Sequence, residues 1–95
     1  FHGGVSGSIA DNAAGFAAMT LMDKEKEPLT IEFKINFLNI ADGEKLVAEA
    51  KILQAGPSIF HGESKVYTIK KNEKLLTATA LVTIKATSKV SEKLR

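Results

Sequence analysis

His2-Gly3-Gly4-Val5-Ser6-Gly7-Ser8-Ile9-Ala10-Asp11-Asn12, running on through Ala13-Ala14-Gly15-Phe16-Ala17-Ala18 to Met22, is the only long stretch of this chain without strand alternation. Ala10, Ala13, Ala14, Ala17 and Ala18 favour a helix over residues 5–22, with Leu21 and Met22 at its end. Phe1 to Gly4 read as a loop leading into it. At about 100° per residue, Val5, Ile9, Ala13 and Phe16 share one face, while Gly4, Gly7, Asp11, Ala18 and Met22 share another. That second face is small and holds one carboxylate, with Gly15 beside it. Glycine inside a helix costs about 0.5–1 kcal/mol relative to alanine, so these positions point to close approach by a backbone or a ligand. Little of the helix suits water, and burial on most sides is expected.

Everything after residue 22 reads as strand and turn. Asp23 to Pro28 is a charged loop. From Leu29 to Leu38 the chain alternates cleanly, with Leu29, Ile31, Phe33, Ile35 and Phe37 on one side and Thr30, Glu32, Lys34 and Asn36 on the other. Asn39 to Gly43 is a turn. Glu44 to Gln54 forms a second strand with Leu46, Ala48, Ala50 and Ile52 alternating. A connection over Ala55-Gly56-Pro57-Ser58 leads to a third strand, Ile59 to Lys71. Asn72-Glu73-Lys74 is a hairpin turn, and Leu75 to Ala86 a fourth strand with Leu76, Ala78, Ala80, Val82 and Ile84 on one face. Thr87 to Arg95 is a polar tail that frays. One helix followed by four strands on short turns is an α+β domain with an antiparallel meander. The bare edges of such a sheet can pair with a further strand or with a second subunit.

Composition narrows the function classes. The 95 residues make a single domain, 1–95, able to bury a core. A net charge of +2 with scattered lysines gives no basic face for a nucleic-acid partner. The longest apolar run, Ile9 to Met22, is too short and too polar for a membrane span. The absence of cysteine excludes disulfides and thiolate metal sites, and with no signal peptide visible it fits a cytoplasmic protein.

Asp11 is the first candidate for chemistry, since an acid two turns into an apolar helix needs a partner or a task. The competing reading is an acid at the helix rim, solvated or capping a neighbouring loop. His2-Gly3-Gly4 is the second: glycines at a helix N-terminus leave backbone N–H groups uncovered for negative charge. Its plain alternative is a flexible lead-in loop. Gly3 and Asp11 are eight residues apart, about 12 Å along a helix rising 1.5 Å per residue. They do not easily grip one carbonyl from within one chain, which favours a two-fold dimer with two equivalent sites. His61 has no acid or hydroxyl at catalytic spacing. The histidines and acids show no metal-ligand spacing. Gly7-Ser8-Ile9 is not a nucleophile elbow, and the glycines form no dinucleotide fingerprint.

His2-Gly3-Gly4, then Ile9-Ala10-Asp11 opening an alanine-rich helix, then Leu29-Thr30-Ile31 through Phe37-Leu38, resembles the hotdog-fold acyl-CoA thioesterases. Within them it is most similar to the phenylacetate-degradation (PaaI-like) group, near the 4-hydroxybenzoyl-CoA thioesterases. The resemblance covers nearly the whole chain. It implies the hotdog fold, a long helix wrapped by a curved antiparallel sheet, in homodimers with a continuous sheet, often paired into homotetramers. It implies hydrolysis of acyl-CoA to free acid and CoA with no metal or cofactor. By similarity, the Gly3 amide binds the thioester carbonyl oxygen with Gly4 alongside, and His2 orients the loop. Asp11 of the other subunit is general base or nucleophile, and Thr30 helps place the water. Members of the family usually carry an upstream helix and first strand, which are expected to be missing here. They also often carry a basic residue after a glycine before the third strand; Gly56-Pro57-Ser58, the candidate substrate-binding segment, departs from that. A non-catalytic acyl-CoA sensor is the main alternative, though a pure binder needs no acid at Asp11. A hotdog dehydratase or hydratase needs a His and an acid together, which the spacing does not supply within one chain.

Overall fold

His2 has extended backbone, φ −71° and ψ 144°, and its Nδ1 accepts a hydrogen bond from the Gly4 N–H at 3.1 Å. A side-chain acceptor at this position satisfies one of the orphan donors of a helix start. The cap draws both glycines into the helix. In the computed structural model, which describes residues 2–88, α1 therefore spans Gly3–Met19, two residues earlier at its start and three earlier at its end than the alanine pattern predicts. Thr20 closes it, donating its hydroxyl to the Ala17 carbonyl at 2.7 Å.

Four strands follow: β1 Lys26–Phe37, β2 Lys45–Ala55, β3 Ile59–Lys70 and β4 Glu73–Ser88. Thr87 and Ser88, expected in a frayed tail, extend β4 and lie opposite Glu27 and Lys26. The rest of that tail, residues 89–95, and Phe1 lie outside the described residues. The β3–β4 hairpin turns on Lys71 and Asn72, with φ of 51° and 66°, one step earlier than Asn72-Glu73-Lys74. Two left-handed residues match the twist of the flanking strands, and asparagine accepts that conformation readily.

All pairings are antiparallel, but the strand order is β1-β4-β3-β2. Only β2, β3 and β4 form the expected meander; β1 joins the far side of β4. The chain reaches β2 by crossing the end of the sheet, about 14 Å for three strand spacings. Its bonds mark the route: Leu38 and Asn39 N–H groups donate to the Thr77 carbonyl, and Glu44 N–H to that of Ile69. Gly43 lies on this crossing, where a Cβ would strike the Thr68 methyl and the Ile69 carbonyl.

The curved sheet wraps the helix on one face, as the hotdog resemblance implies. Ala10, Ala14 and Ala18 are fully buried against Phe60, Val66, Ala78, Ala80, Val82, Ile84 and Ala86. Gly62 permits the close approach, since a Cβ there would already touch Ala14 and Ile52. The buried Ser64 hydroxyl donates to the Ala10 carbonyl at 2.7 Å and fixes the helix on the sheet. Leu46, Ala48, Ala50 and Ile52 pair with inward-facing β3 residues, as their alternation predicts. Leu76 does not stay in line with Ala78, because a shift between Val66 and Tyr67 sets it opposite Tyr67. Nor is the helix buried on most sides: Phe16 is 67% exposed within the chain, and Val5 and Met19 are exposed too.

Candidate functional site

The helix lies across the sheet so that Asp11 faces β1 rather than the alanine contact. There the Thr30 hydroxyl donates to the Asp11 carboxylate at 2.7 Å. Regular alternation places Thr30 on the face opposite Phe33, which would carry it away from the helix. A β-bulge corrects the phase. Thr30 pairs with Ile84 and Glu32 with Thr83, so Ile31 has no partner of its own. Thr30 consequently shares a face with Phe33, Ile35 and Phe37, which lie opposite Val82, Ala80 and Ala78. Leu29, opposite Lys85, goes to the outer face. This corrects the expected strand faces: Leu29 and Ile31 do not line up with Phe33.

Asp11 sits between two hollows along the seam of α1 and β1. One, about 240 Å³, is lined by Gly3, Gly4, Gly7, Ser8, Asp11, Phe33 and Ile35. The other, about 210 Å³, is lined by Asp11, Asn12, Gly15, Phe16, Met19, Pro28 and Thr30. Gly3 also borders a third cavity of about 480 Å³ with Ser6, Thr77 and the segment Phe37 to Ala41. Gly3 and Asp11 thus stand on one groove wall, still separated by eight helical residues, about 12 Å.

The glycine amides differ. The Gly4 N–H is held by the His2 imidazole, while the Gly3 N–H makes no hydrogen bond among the described residues. Helix geometry points such a donor off the N-terminus, where the dipole favours negative charge. A donor at a helix start can polarise a carbonyl and a carboxylate held on one oxygen can accept a proton, but at about 12 Å apart the two of one chain do not reach one small group.

Gly56-Pro57-Ser58 is not brought to this groove. It forms the β2–β3 turn, with the Gly56 N–H on the Ile59 carbonyl and the Ala86 N–H on that of Ser58, two strands away from β1. His61 is exposed on the outer face of β3, opposite Thr83 and Gln54. Sequence alternation put Phe33, Ile35 and Phe37 on one side of the strand without singling them out as the groove walls they form. It also missed Pro28, whose place beside an otherwise unbroken alternation is the one signal of irregular pairing. Among the described residues no three His, Cys, Asp or Glu side chains gather as a metal site, and no helix is long and apolar enough to cross a membrane.

Comparison with known proteins agrees with this fold. The profile of the Thioesterase superfamily matches residues 1–74. Among solved structures, a thioesterase family protein from Silicibacter pomeroyi superposes with a TM-score of 0.91 at 34% identity, over 93% of this chain and 65% of that one. A Bacillus halodurans protein crystallised with CoA gives 0.85 at 24%, over 90% and 58%. A Haemophilus influenzae thioesterase gives 0.83 at 21%, over 97% and 62%. The chain thus spans somewhat under two thirds of the length of these relatives. A search of the curated proteins returned no significant match.

Proposed function

The chain belongs to the thioesterase superfamily, and from that premise we propose that it hydrolyses an acyl-CoA thioester to free acid and CoA at sites shared by two copies of the chain. The observation that carries the reading is the Asp11 carboxylate, held by the Thr30 hydroxyl on the wall of a groove that runs to the unpaired Gly3 N–H. A CoA-bound relative of the same fold supports CoA as the thiol.

Each group has a task. Attack on a thioester carbonyl builds negative charge on its oxygen, and the Gly3 N–H, backed by the helix dipole, stabilises that charge. His2 keeps the loop in place through Gly4. Thr30 occupies one oxygen of Asp11 and leaves the other to act. As general base, Asp11 takes a proton from water; the new C–O bond forms, the C–S bond breaks, and the proton goes to the departing thiolate. As nucleophile, the same oxygen forms a mixed anhydride as the C–S bond breaks and CoA leaves as thiolate; water then opens the anhydride to free acid and Asp11 carboxylate, its proton passing to the thiolate.

The separation of Gly3 from Asp11 assigns them to opposite sites of a homodimer, each completed by the partner. Among the described residues β1 is an edge strand, and with the exposed apolar side chains of Val5, Phe16, Met19, Ile31, Phe33 and Phe37 it offers a surface for a sheet continuous through the two-fold axis. Gly56-Pro57-Ser58 then meets CoA only if another subunit brings it there. The reading extends to a PaaI-like enzyme of the cytoplasm, as homodimer or homotetramer.

The test is thiol release from a panel of acyl-CoAs. Turnover by the native chain that Asp11→Asn and Asp11→Ala leave unchanged would remove Asp11 from the reaction, and binding without turnover would make the protein an acyl-CoA sensor. Mixing Asp11→Ala protein with a Gly3-loop variant should restore about a quarter of native activity, because half the dimers are mixed and each mixed dimer has one intact site.

A further inference from the structure

β1 pairs with β4 through a bulge, although its apolar side chains alternate as those of an unbulged strand would. Without a bulge, Ile31 would stand opposite Ile84, Thr30 opposite Lys85, Leu29 opposite Ala86 and Pro28 opposite Thr87. Leu29, Ile31, Phe33, Ile35 and Phe37 would then form one apolar row toward the helix, as strict alternation demands. In the observed register Leu29 and Ile31 are each 54% exposed, and a threonine takes the inward place.

Two features oppose that alternation. One is the Thr30–Asp11 hydrogen bond. The other is Pro28. Antiparallel pairs alternate between bonded and unbonded positions. The Leu38 N–H donates to Thr77, so odd-numbered residues of β4 bond toward β1; Ala86 donates the other way, to Ser58. Pro28 lies opposite Ala86, at an unbonded position where its missing N–H costs nothing. In the regular register it would face Thr87 and leave that carbonyl without a donor.

We propose that Pro28 and Ile31 are positioning residues for the Asp11 site: Pro28 and the Thr30–Asp11 bond select the bulged register over the regular one, and Ile31 is the residue set aside to bring Thr30 inward. This reaches beyond the hydrolase reading, because it concerns how the strand chooses between two pairings.

The chain has no cysteine, so introduced pairs report on register without interference. In the full-length protein, Glu27→Cys with Thr87→Cys are opposed in the bulged register, and Glu27→Cys with Ser88→Cys in the regular one. Adjacent strand residues point to opposite faces, so only the opposed pair should close, at least about tenfold faster than the other. Pro28→Val and Thr30→Val should each narrow that ratio, and together reverse it; Thr30→Ser should keep it. Deleting Ile31 from the double variant should return the lead to the first pair, since no extra residue remains to be set aside. The first pair leading unchanged in all the Val variants, or the two pairs closing equally fast in the native background, overturns the proposal. If the double variant does not fold, the single variants decide by the same criterion. None of these outcomes needs turnover, so a fixed register leaves the hydrolase reading standing, and an inactive protein still answers the register question.

Discussion

The helix packs on all four strands, and two of its seams, toward β3 and toward β1, are both lined with small residues yet differ in kind. Toward β3, Ala10, Ala14 and Ala18 are fully buried, with Ala14 close to Gly62 and Ala10 bonded to Ser64. The polar group on that seam, Ser64, is spent on a helix carbonyl. Toward β1, Gly3, Gly7 and Asp11 meet Phe33, Ile35 and Thr30, and hollows remain. There the polar pair is left half open. Small residues do not themselves make a site. They make one where the opposing strand is an edge whose bulky rings, packed over the helix glycines, leave hollows beside them. Where it is central and carries small residues, they make a core.

Substitutions on the two seams should therefore separate activity from stability. Asp11→Asn should lower thiol release by about 10²–10⁴-fold, the usual worth of a general base, with little change in melting temperature. Ala14→Leu on the closed seam should do the reverse. Extra volume in a packed contact costs about 1–3 kcal/mol, read in urea unfolding, while the folded fraction keeps its specific activity. Thr30→Val should reduce kcat by about 10- to 150-fold, in keeping with the roughly 1.5–3 kcal/mol that a hydrogen bond to a charged group contributes. Gly7→Ala tests the open seam directly. A Cβ there would lie 3.4 Å from the Phe33 ring, ordinary contact. The variant should gain about 0.5–1 kcal/mol from helix propensity while KM rises as the groove narrows. Least affected should be Lys74→Met on the outer face. Glu49 holds the Lys74 ammonium above the ordinary lysine range through a 2.6 Å contact, but the pair is exposed. Both melting temperature and turnover should match the native protein.

Much of this architecture can be read from the chain. Alternation gave the four strands to within a few residues, and the isolated acid with the His-Gly-Gly lead-in marked the groove that the structure contains. Thr30 entered as a candidate only through the family resemblance, because its own pattern put it on the wrong face. Periodicity tells which residues share a side, but a bulge resets the count without changing composition. The neighbour of β1 was equally invisible. Local turns imply sequential pairing, whereas β1 binds a strand about fifty residues later, and only the crossing at Leu38–Glu44 makes that possible. Histidine is not among the common capping residues, so the early helix start left little trace.

The strand order also sets a sequence of events. Among the described residues β1 pairs only with β4, the last of the described strands. During synthesis the Asp11 helix and the Thr30 strand emerge before β4, yet the wall on which Thr30 rests waits for Glu73–Ser88 to be released and to pair back across the intervening chain. Pairings so distant in sequence slow folding. Until then β1, with Phe33, Ile35 and Phe37 uncovered, is the segment most open to capture by another chain or a chaperone.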